Sequence, residues 1–271
     1  MAKSVMRQHM EERFGKVFQF KENPPLPRSL NIELNSGCNQ KCVFCPFHGK
    51  YAPNVPKPAV LPFDKVKTLL EEAHRLGIGE KEVGFYLAGE AFLYKDLAEV
   101  VAYAKQLGFS YTFLTSNGAL ASPEKMRAVL DAGLDSIRFS INAADRDTYY
   151  EIHGMDDFDR VLDNIKYMRQ YIDENKLNVA TSISCVITKK TLGIQKQFKE
   201  TFGKYVDDVL FIPVMVNRLK PDADFLAEHQ LIDESGATIN SDFICPMLFD
   251  TMYINADLEV VPCCDAYDEE Q

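Results

Sequence analysis

The sequence lacks a long apolar run: none approaches the roughly 18 consecutive apolar residues of a membrane-spanning helix. The N-terminal stretch MAKSVMRQHMEERFGKVFQF also lacks the apolar centre of a secretory signal. Positive charge is not in excess, because 30 basic residues stand against 40 acidic ones, for a net charge of −10. These absences predict no membrane partner, a cytoplasmic location and no nucleic-acid partner, since nonspecific nucleic-acid binding requires a basic surface.

What the sequence contains is typical of a globular protein. Its 271 residues are 46% hydrophobic and 26% charged, which excludes a disordered chain. At roughly 150 residues per domain, a chain of this length would contain one or two domains. Single α/β barrels of this length are also common.

Strand-like segments rich in β-branched and aromatic residues alternate with amphipathic helical patterns. The predicted strands span residues 30–34, 82–87, 110–115, 136–141, 180–187 and 208–216. Strands that alternate with helices predict a parallel sheet with right-handed crossovers. Periodicity alone leaves open whether this sheet is doubly wound or closes towards a barrel.

The pattern also predicts a division of the chain. Residues 1–27 are expected to form an N-terminal arm on the outside, and residues 28–216 the α/β domain. In the C-terminal segment, residues 217–271, we expect an irregular polar stretch over 217–242. A short hairpin over 243–265, with its turn at Ala256 and Asp257, is expected to form a small appendage.

Seven cysteines are present, and three of them lie within eight residues: Cys38, Cys42 and Cys45. They follow the first predicted strand, at the end where parallel α/β folds bind ligands. Three thiolates can hold one compact metal centre, and on a cubane iron–sulfur cluster they leave one iron open. A Cys3His zinc site completed by His48 is an alternative, as is a redox pair of Cys42 and Cys45.

The segment CNQKCVFC resembles the C-x3-C-x-aromatic-C signature of the radical S-adenosylmethionine (radical SAM) enzymes. The resemblance implies an α/β fold, a partial (β/α)6 TIM-type barrel. It also implies a 4Fe–4S cluster on Cys38, Cys42 and Cys45, and a flavodoxin- or ferredoxin-type reductant. In that family the reduced cluster cleaves S-adenosylmethionine to methionine and a 5′-deoxyadenosyl radical, which abstracts hydrogen from substrate. Phe44 would shield the cluster and lie near the adenine.

Two further segments resemble motifs of the same family. Ala88-Gly89-Glu90-Ala91 resembles its Gly-Gly-Glu-Pro motif, in which Gly89 and Glu90 match and Glu90 would bind the methionine ammonium. An ordinary turn with a solvated glutamate is the alternative. The segment LTSNG resembles the family's Thr-Asn-Gly strand end and makes Ser116 and Asn117 candidate ligands, although turn chemistry also explains Asn-Gly.

The fourth and fifth strands carry the remaining cofactor candidates. The segment SIRFSINAADRDTYYEIHG resembles the family's fourth-strand region, where Ser140 would contact the ribose or carboxylate and Asn142 shares its strand face. His153 stands where relatives carry an arginine for the carboxylate. Val186 would pack on the adenine, with core packing as the alternative, whereas Cys185 is predicted to be a buried core residue.

The C-terminal cysteines resemble the opening of a SPASM or twitch segment, which holds an auxiliary 4Fe–4S cluster. Cys245 and Cys263 correspond to its first two ligands. Leu258 replaces the turn glycine, and the chain reaches Gln271 with Cys264 as the remaining nearby thiol. A complete, an incomplete and an empty auxiliary site all remain open.

Such segments accompany oxidoreductases that act on sugar-like alcohols and enzymes that modify peptides. The short stretch before the first strand favours a compact substrate, a sugar- or cyclitol-like small molecule, with a short peptide as the alternative. A zinc-stabilised binding module without redox chemistry is the rival function.

Overall fold

The computed structural model describes residues 24–52, 55, 57–215, 219–231, 245 and 247–263. Most of the predicted N-terminal arm, the predicted boundary at 216–217 and Cys264 lie outside these residues. The strands are β1 (Ser29–Ile32), β2 (Glu82–Phe85), β3 (Thr112–Ser116), β4 (Ser136–Ser140), β5 (Ala180–Ile187), β6 (Asp208–Pro213), β7 (Thr251–Ile254) and β8 (Val260–Val261).

A 3-10 turn at Ala91–Leu93 and a set of α-helices connect these strands. The helices are α1 (Phe63–Leu76), α2 (Leu97–Leu107), α3 (Pro123–Asp131), α4 (Arg146–His153), α5 (Phe158–Asn175), α6 (Gln195–Phe202), α7 (Ala223–His229) and α8 (Met247–Asp250). Within the described ranges, no helix is both long enough and apolar enough to cross a bilayer.

The strands form one eight-stranded sheet in the order β6-β5-β4-β3-β2-β1-β7-β8. From β1 to β6 each strand pairs in parallel with the next along the chain, and helices make the crossovers. The structure confirms the α/β fold of a partial barrel, and the first six strands lie where the sequence predicts them. All the carboxyl ends of these six strands therefore meet at one edge of the sheet.

Local sequence signals set the helix ends. Ser122 caps α3 by accepting the amide of Lys125, and Pro123 occupies the first helical position. Gly108 ends α2 in the left-handed conformation, at φ 101°.

The core lies between the sheet and its helices. One face of each strand supplies fully buried apolar side chains, such as Leu30, Leu114 and Ile183, which pack against the apolar stripes of the helices. Cys185 belongs to this core and is also fully buried, and burial raises the pKa of its thiol to about 12. The interpretation of Cys185 as a core residue is confirmed.

The C-terminal hairpin extends the main sheet beyond β1. Strand β7 pairs in parallel with β1, and β8 pairs antiparallel with β7. Without β7, the backbone groups along one edge of β1 would lack strand partners. The description of 217–242 as irregular is wrong for the residues of α7. Asp222 caps this helix by accepting a hydrogen bond from the amide of Phe225 at 2.8 Å.

Leu258 lies in the hairpin turn at φ 68°, a left-handed conformation that normally favours glycine. We expect Leu258→Gly to raise the free energy of unfolding by about 0.5–1 kcal/mol. A left-handed residue with a side chain costs roughly 1–2 kcal/mol, and the entropy of glycine in the unfolded chain offsets part of the gain. Urea denaturation measures the change.

Leu192→Gly is the matched control, because Leu192 is also an exposed loop leucine and is not among the described residues with positive φ. It should lower stability. A loss of stability in Leu258→Gly would show that the leucine side chain contributes more than its backbone conformation costs.

Candidate active site at the carboxyl ends of the strands

The loop after β1 carries the three clustered cysteines and packs on the end of α4. The amide of Lys41 donates to the carbonyl of His153 at 3.1 Å, and the amide of Val43 donates to that of Ile152 at 2.9 Å. These two carbonyls would otherwise have no partner at the helix end. The cysteine loop, residues 38–49, is therefore fixed to α4 by backbone bonds.

Gly49 closes this loop. A Cβ at position 49 would lie 2.5 Å from the carbonyl oxygen of Cys42 and 2.7 Å from that of Cys45. Only glycine permits so close a backbone approach, so the loop is compact around its three sulfurs.

The thiols lie near one another and near a buried carboxylate. Burial raises the pKa of Cys38 to about 11, and the nearby Glu90 and Cys45 add to the effect. Burial also raises the pKa of Cys42 well above its ordinary value, with Cys45 and Cys38 contributing. Anionic thiolates in this loop therefore require positive charge among them, which is what a bound metal centre supplies.

Across the described ranges, no group of three or more His, Cys, Asp or Glu side chains is arranged to hold a single metal ion. A zinc ion would need all of its ligands at about 2.0–2.3 Å from one point. A cubane cluster does not impose that convergence, because each cysteine binds a different iron. The donor set of Cys38, Cys42 and Cys45 thus fits a cluster in which each thiolate binds one iron.

Glu90 is a charged group at the edge of the sheet formed by the carboxyl ends of the strands. It is 3% exposed and follows β2. Its Oε1 accepts from the Ser116 hydroxyl at 2.7 Å and from the Phe92 amide at 3.1 Å, and its Oε2 accepts from the Asn117 amide at 2.7 Å. Burial raises the pKa of Glu90, while these three bonds act in the opposite direction. A carboxylate has about four acceptor positions, so one remains on Oε2.

Gly89 permits the backbone of this segment to lie directly on the start of the cysteine loop. The amide of Glu90 donates to the carbonyl of Gly37 at 2.8 Å, and the side chain of Asn35 donates to the carbonyl of Glu90 at 2.9 Å. A Cβ on Gly89 would overlap the carbonyl oxygen of Asn35. The Gly89-Glu90 pair is therefore a contact point between β2 and the loop after β1.

Ser116 and Asn117, predicted as cofactor ligands, are engaged within the protein. The Ser116 hydroxyl donates to Glu90 and accepts the amide of Gly118 at 2.9 Å. The side chain of Asn117 donates to Asn39 Oδ1 at 2.8 Å and lies 3.9 Å from the sulfur of Cys38. Their clear roles in the structure are to orient Glu90 and to support the cysteine loop.

Ser140 and Asn142 lie at the end of β4. Ser140 is the last residue of the strand and is partly exposed. Asn142 is buried and accepts the amide of Val186 through Oδ1 at 2.9 Å, so it links the ends of β4 and β5.

Phe44 and Val186 are the two predicted adenine contacts. Both pack against a small apolar cluster formed by Val214, Leu219 and Phe225. The structure thus places one apolar surface beside the cysteine loop.

His153 is placed differently from the predicted carboxylate contact. It is fully buried at the end of α4, and its ring lies behind the cysteine loop. Nε2 accepts the amide of Asn142 at 3.1 Å, and Nδ1 lies 2.9 Å from Gln40 Oε1 and 3.2 Å from the sulfur of Cys42. Because both nitrogens are engaged inside the protein, the side chain is not open to a cofactor carboxylate.

Sequence reasoning missed two residues of this arrangement, Gln40 and Tyr149. Gln40 donates to the hydroxyl of Tyr149 at 2.6 Å, and the Tyr149 ring stacks on that of His153. A signal was available: Asp145 caps α4 by accepting the amide of Thr148. That capping pattern predicts a helix, on which Tyr149 and His153, four apart, share one face.

Cys245 and Cys263 lie in the C-terminal part of the chain, before α8 and after β8 respectively, and both are partly buried. Cys264, the remaining nearby thiol, lies outside the described residues.

A parallel sheet with a three-cysteine loop after its first strand defines a class of enzyme. The family model described as "Radical SAM superfamily" matches residues 32–190, more than half of the chain. The chain belongs to this superfamily and is an enzyme of it. The family uses a 4Fe–4S cluster and S-adenosylmethionine.

The chain is also similar to curated proteins from two archaea. The chain is 34% identical to a "Probable GTP 3′,8-cyclase" of Saccharolobus solfataricus over 157 residues, which are 58% of this chain and 46% of the relative. It is 33% identical to a protein of the same description from Saccharolobus islandicus over 198 residues, 73% of this chain and 55% of the relative. The chain thus spans about half the length of these curated relatives.

The fold is also similar to that of SuiB from Streptococcus suis, crystallised with its precursor peptide SuiA. The TM-score is 0.69 at 17% identity, and the match covers 98% of this chain and 64% of SuiB. At this identity the likeness shows the fold alone.

The close contact at Gly89 yields a stability prediction. We expect Gly89→Ala to lower the free energy of unfolding by about 1–3 kcal/mol, because its Cβ meets backbone atoms that cannot move aside. Urea denaturation measures the change.

Gly37→Ala, two residues beyond Asn35, is the control. Its Cβ would make ordinary contacts with Asn35 Oδ1 at 3.6 Å and Leu93 at 3.8 Å, so its stability should stay within about 0.5 kcal/mol of wild type. Equal losses in both variants would contradict the close approach at Gly89.

Proposed function

We propose that Cys38, Cys42 and Cys45 each bind one iron of a 4Fe–4S cluster, and that the enzyme abstracts hydrogen from a compact polar substrate. The observation that carries this proposal is the compact loop that gathers three thiols beside a buried carboxylate at the carboxyl edge of the sheet. When bound and reduced, the cluster supplies the electron that cleaves S-adenosylmethionine and yields the 5′-deoxyadenosyl radical. A flavodoxin- or ferredoxin-type protein is the proposed electron donor.

The residues around the loop can hold S-adenosylmethionine. Glu90 keeps one acceptor position on Oε2, which would accept a hydrogen bond from the methionine ammonium. Ser140, partly exposed at the end of β4, would donate to the ribose or carboxylate. The apolar surface of Phe44 and Val186 would contact the adenine.

A polar row across the sheet supports a hydroxyl-rich substrate. Register pairs Thr115 with Arg138, Arg138 with Ser182, and Ser182 with Asp208. Residues paired in this way share one face, and their strand neighbours Leu114, Ile137 and Ile183 belong to the core on the other face. A sugar- or cyclitol-like substrate has hydroxyl groups, which can both donate to and accept from polar side chains of these types.

A nucleotide is the second candidate substrate, because the two similar Saccharolobus proteins are described as probable GTP 3′,8-cyclases. A short peptide is the third. Incubation of reduced enzyme with deuterated cyclitol, GTP or peptide, followed by mass spectrometry of 5′-deoxyadenosine, distinguishes them. Deuterium in 5′-deoxyadenosine identifies the substrate that loses hydrogen, and transfer from none of the three would contradict this choice of classes.

The cluster assignment predicts the behaviour of the triple variant Cys38→Ala, Cys42→Ala, Cys45→Ala. After anaerobic reconstitution it should lack the iron of the radical cluster and should form no 5′-deoxyadenosine, because each thiolate holds one iron. Iron analysis, visible absorption and product assay measure this. Cys185→Ala, which removes a buried core thiol, should retain both iron and cleavage.

The same experiment also distinguishes the alternatives to a single radical cluster. Cleavage at the wild-type rate by the triple variant would overturn the cluster assignment, and stoichiometric zinc without iron in wild type would favour the binding module. About four irons retained by the triple variant, and lost when Cys245 and Cys263 are also changed, would identify an auxiliary cluster at those cysteines.

Glu90→Gln tests the ammonium contact. We expect binding of S-adenosylmethionine to weaken by roughly 10- to 150-fold, because a hydrogen bond to a charged group contributes about 1.5–3 kcal/mol. Iron content should be unchanged, and equilibrium binding to the reconstituted protein measures the loss. Ser116→Ala removes one bond to the carboxylate but keeps its charge, so its affinity should fall much less. Wild-type affinity in Glu90→Gln would contradict the ammonium contact and would show that the role of Glu90 is structural.

A further inference from the structure

The side chain of His153 distinguishes Cys42 from the other two clustered cysteines. Its Nδ1 lies 3.2 Å from the Cys42 sulfur. The sulfur of Cys45 instead faces the backbone amides of Phe47 and His48, at 3.4 and 3.3 Å. Cys42 is thus the cysteine of the three that has an imidazole against its sulfur.

The position of the imidazole proton follows from the other ring nitrogen. The backbone amide of Asn142 can only donate, so Nε2, at 3.1 Å from it, must be an acceptor without a proton. A neutral ring then carries its proton on Nδ1, the nitrogen that faces Cys42.

The ring is held in this orientation by its neighbours. Tyr149 stacks on it, with ring centroids 4.1 Å apart and planes inclined by 14°. The hydroxyl of Tyr149 accepts from Gln40 Nε2 at 2.6 Å, which turns Gln40 Oε1 towards Nδ1, at 2.9 Å. The Nδ1 proton therefore faces two acceptors, Gln40 Oε1 and the Cys42 sulfur, and an anionic thiolate is the stronger attraction.

We propose that His153 is a positioning residue that donates an Nδ1–H···S hydrogen bond to the Cys42 thiolate and thereby sets the reduction potential of the cluster. This inference rests on the proposed function, in which Cys42 binds one iron. A hydrogen bond to a ligand sulfur stabilises the reduced cluster more than the oxidised one, since reduction adds negative charge. His153 therefore raises the potential and makes the cluster easier to reduce.

The test compares reconstituted wild type, His153→Phe and His153→Asn by redox titration followed with electron paramagnetic resonance. We expect His153→Phe to bind iron but to shift the equilibrium about tenfold towards the oxidised cluster, about 59 mV to more negative potential for one electron. His153→Asn keeps an N–H donor near the position of Nδ1 and should recover part of the shift. An iron-replete His153→Phe with the wild-type potential would overturn the proposal.

Tyr149→Phe separates the hydrogen bond from general damage at the end of α4. It removes a buried bond beside His153 and leaves the imidazole in place. Its potential should shift much less than that of His153→Phe, because the Nδ1–H donor to the Cys42 sulfur is retained. An equal shift in Tyr149→Phe and His153→Phe would overturn the proposal, because a purely structural disturbance would then explain both.

A second measurement decides the case in which His153→Phe does not hold a cluster. Wild-type protein labelled with 15N-histidine should show a 15N hyperfine coupling to the reduced cluster that persists in labelled His48→Asn. No such coupling, or its loss in His48→Asn, would overturn the role of His153. Absence of any cluster from wild type would instead overturn the proposed function.

Discussion

The side chain of Glu90 is buried at the carboxyl edge of the sheet and joins segments that are far apart in sequence. Its carboxylate accepts hydrogen bonds from the hydroxyl of Ser116 and the amide of Asn117, at the end of β3. Its backbone is hydrogen-bonded to the side chain of Asn35 and the carbonyl of Gly37, just before the cysteine loop. Removing one of these donors leaves the buried carboxylate with an unmet hydrogen bond, which costs about 1.5–3 kcal/mol. The relative positions of β2, β3 and the cysteine loop therefore depend on this one group.

A second layer of contacts holds the other side of the cysteine loop. The backbone amides of Lys41 and Val43 donate hydrogen bonds to carbonyls at the end of α4. The side chains of His153, Gln40 and Tyr149 contact one another between this helix and the loop. The loop is thus held between the strand ends and a short helix, and its sulfurs lie between the two. Preorganisation of this kind is what a site for a strained, reactive cofactor requires.

Much of the fold was accessible from the sequence, because its strands are rich in β-branched residues and its helices carry apolar stripes with clear caps. The cysteine loop and Glu90 were accessible from their motifs. Sequence could not show that Ser116 and Asn117 bond Glu90 and Asn39, since Asn-Gly after a strand is explained equally well by a turn. Nor could it show that His153 faces inward, because the direction of a helical side chain depends on what the helix packs against.

The pairing of β7 with β1 has a consequence for the order of folding. The carboxylate of Glu33, just after β1, accepts the amides of Ala88 and of Ala256, and the latter lies 223 residues further along the chain. At a synthesis rate of about 5–20 residues per second, the edge of β1 stays open for many seconds on the ribosome while β7 is still being made. Contacts of such long sequence separation also close slowly. The strand that leads into the cysteine loop is therefore synthesised long before it acquires all of its neighbours.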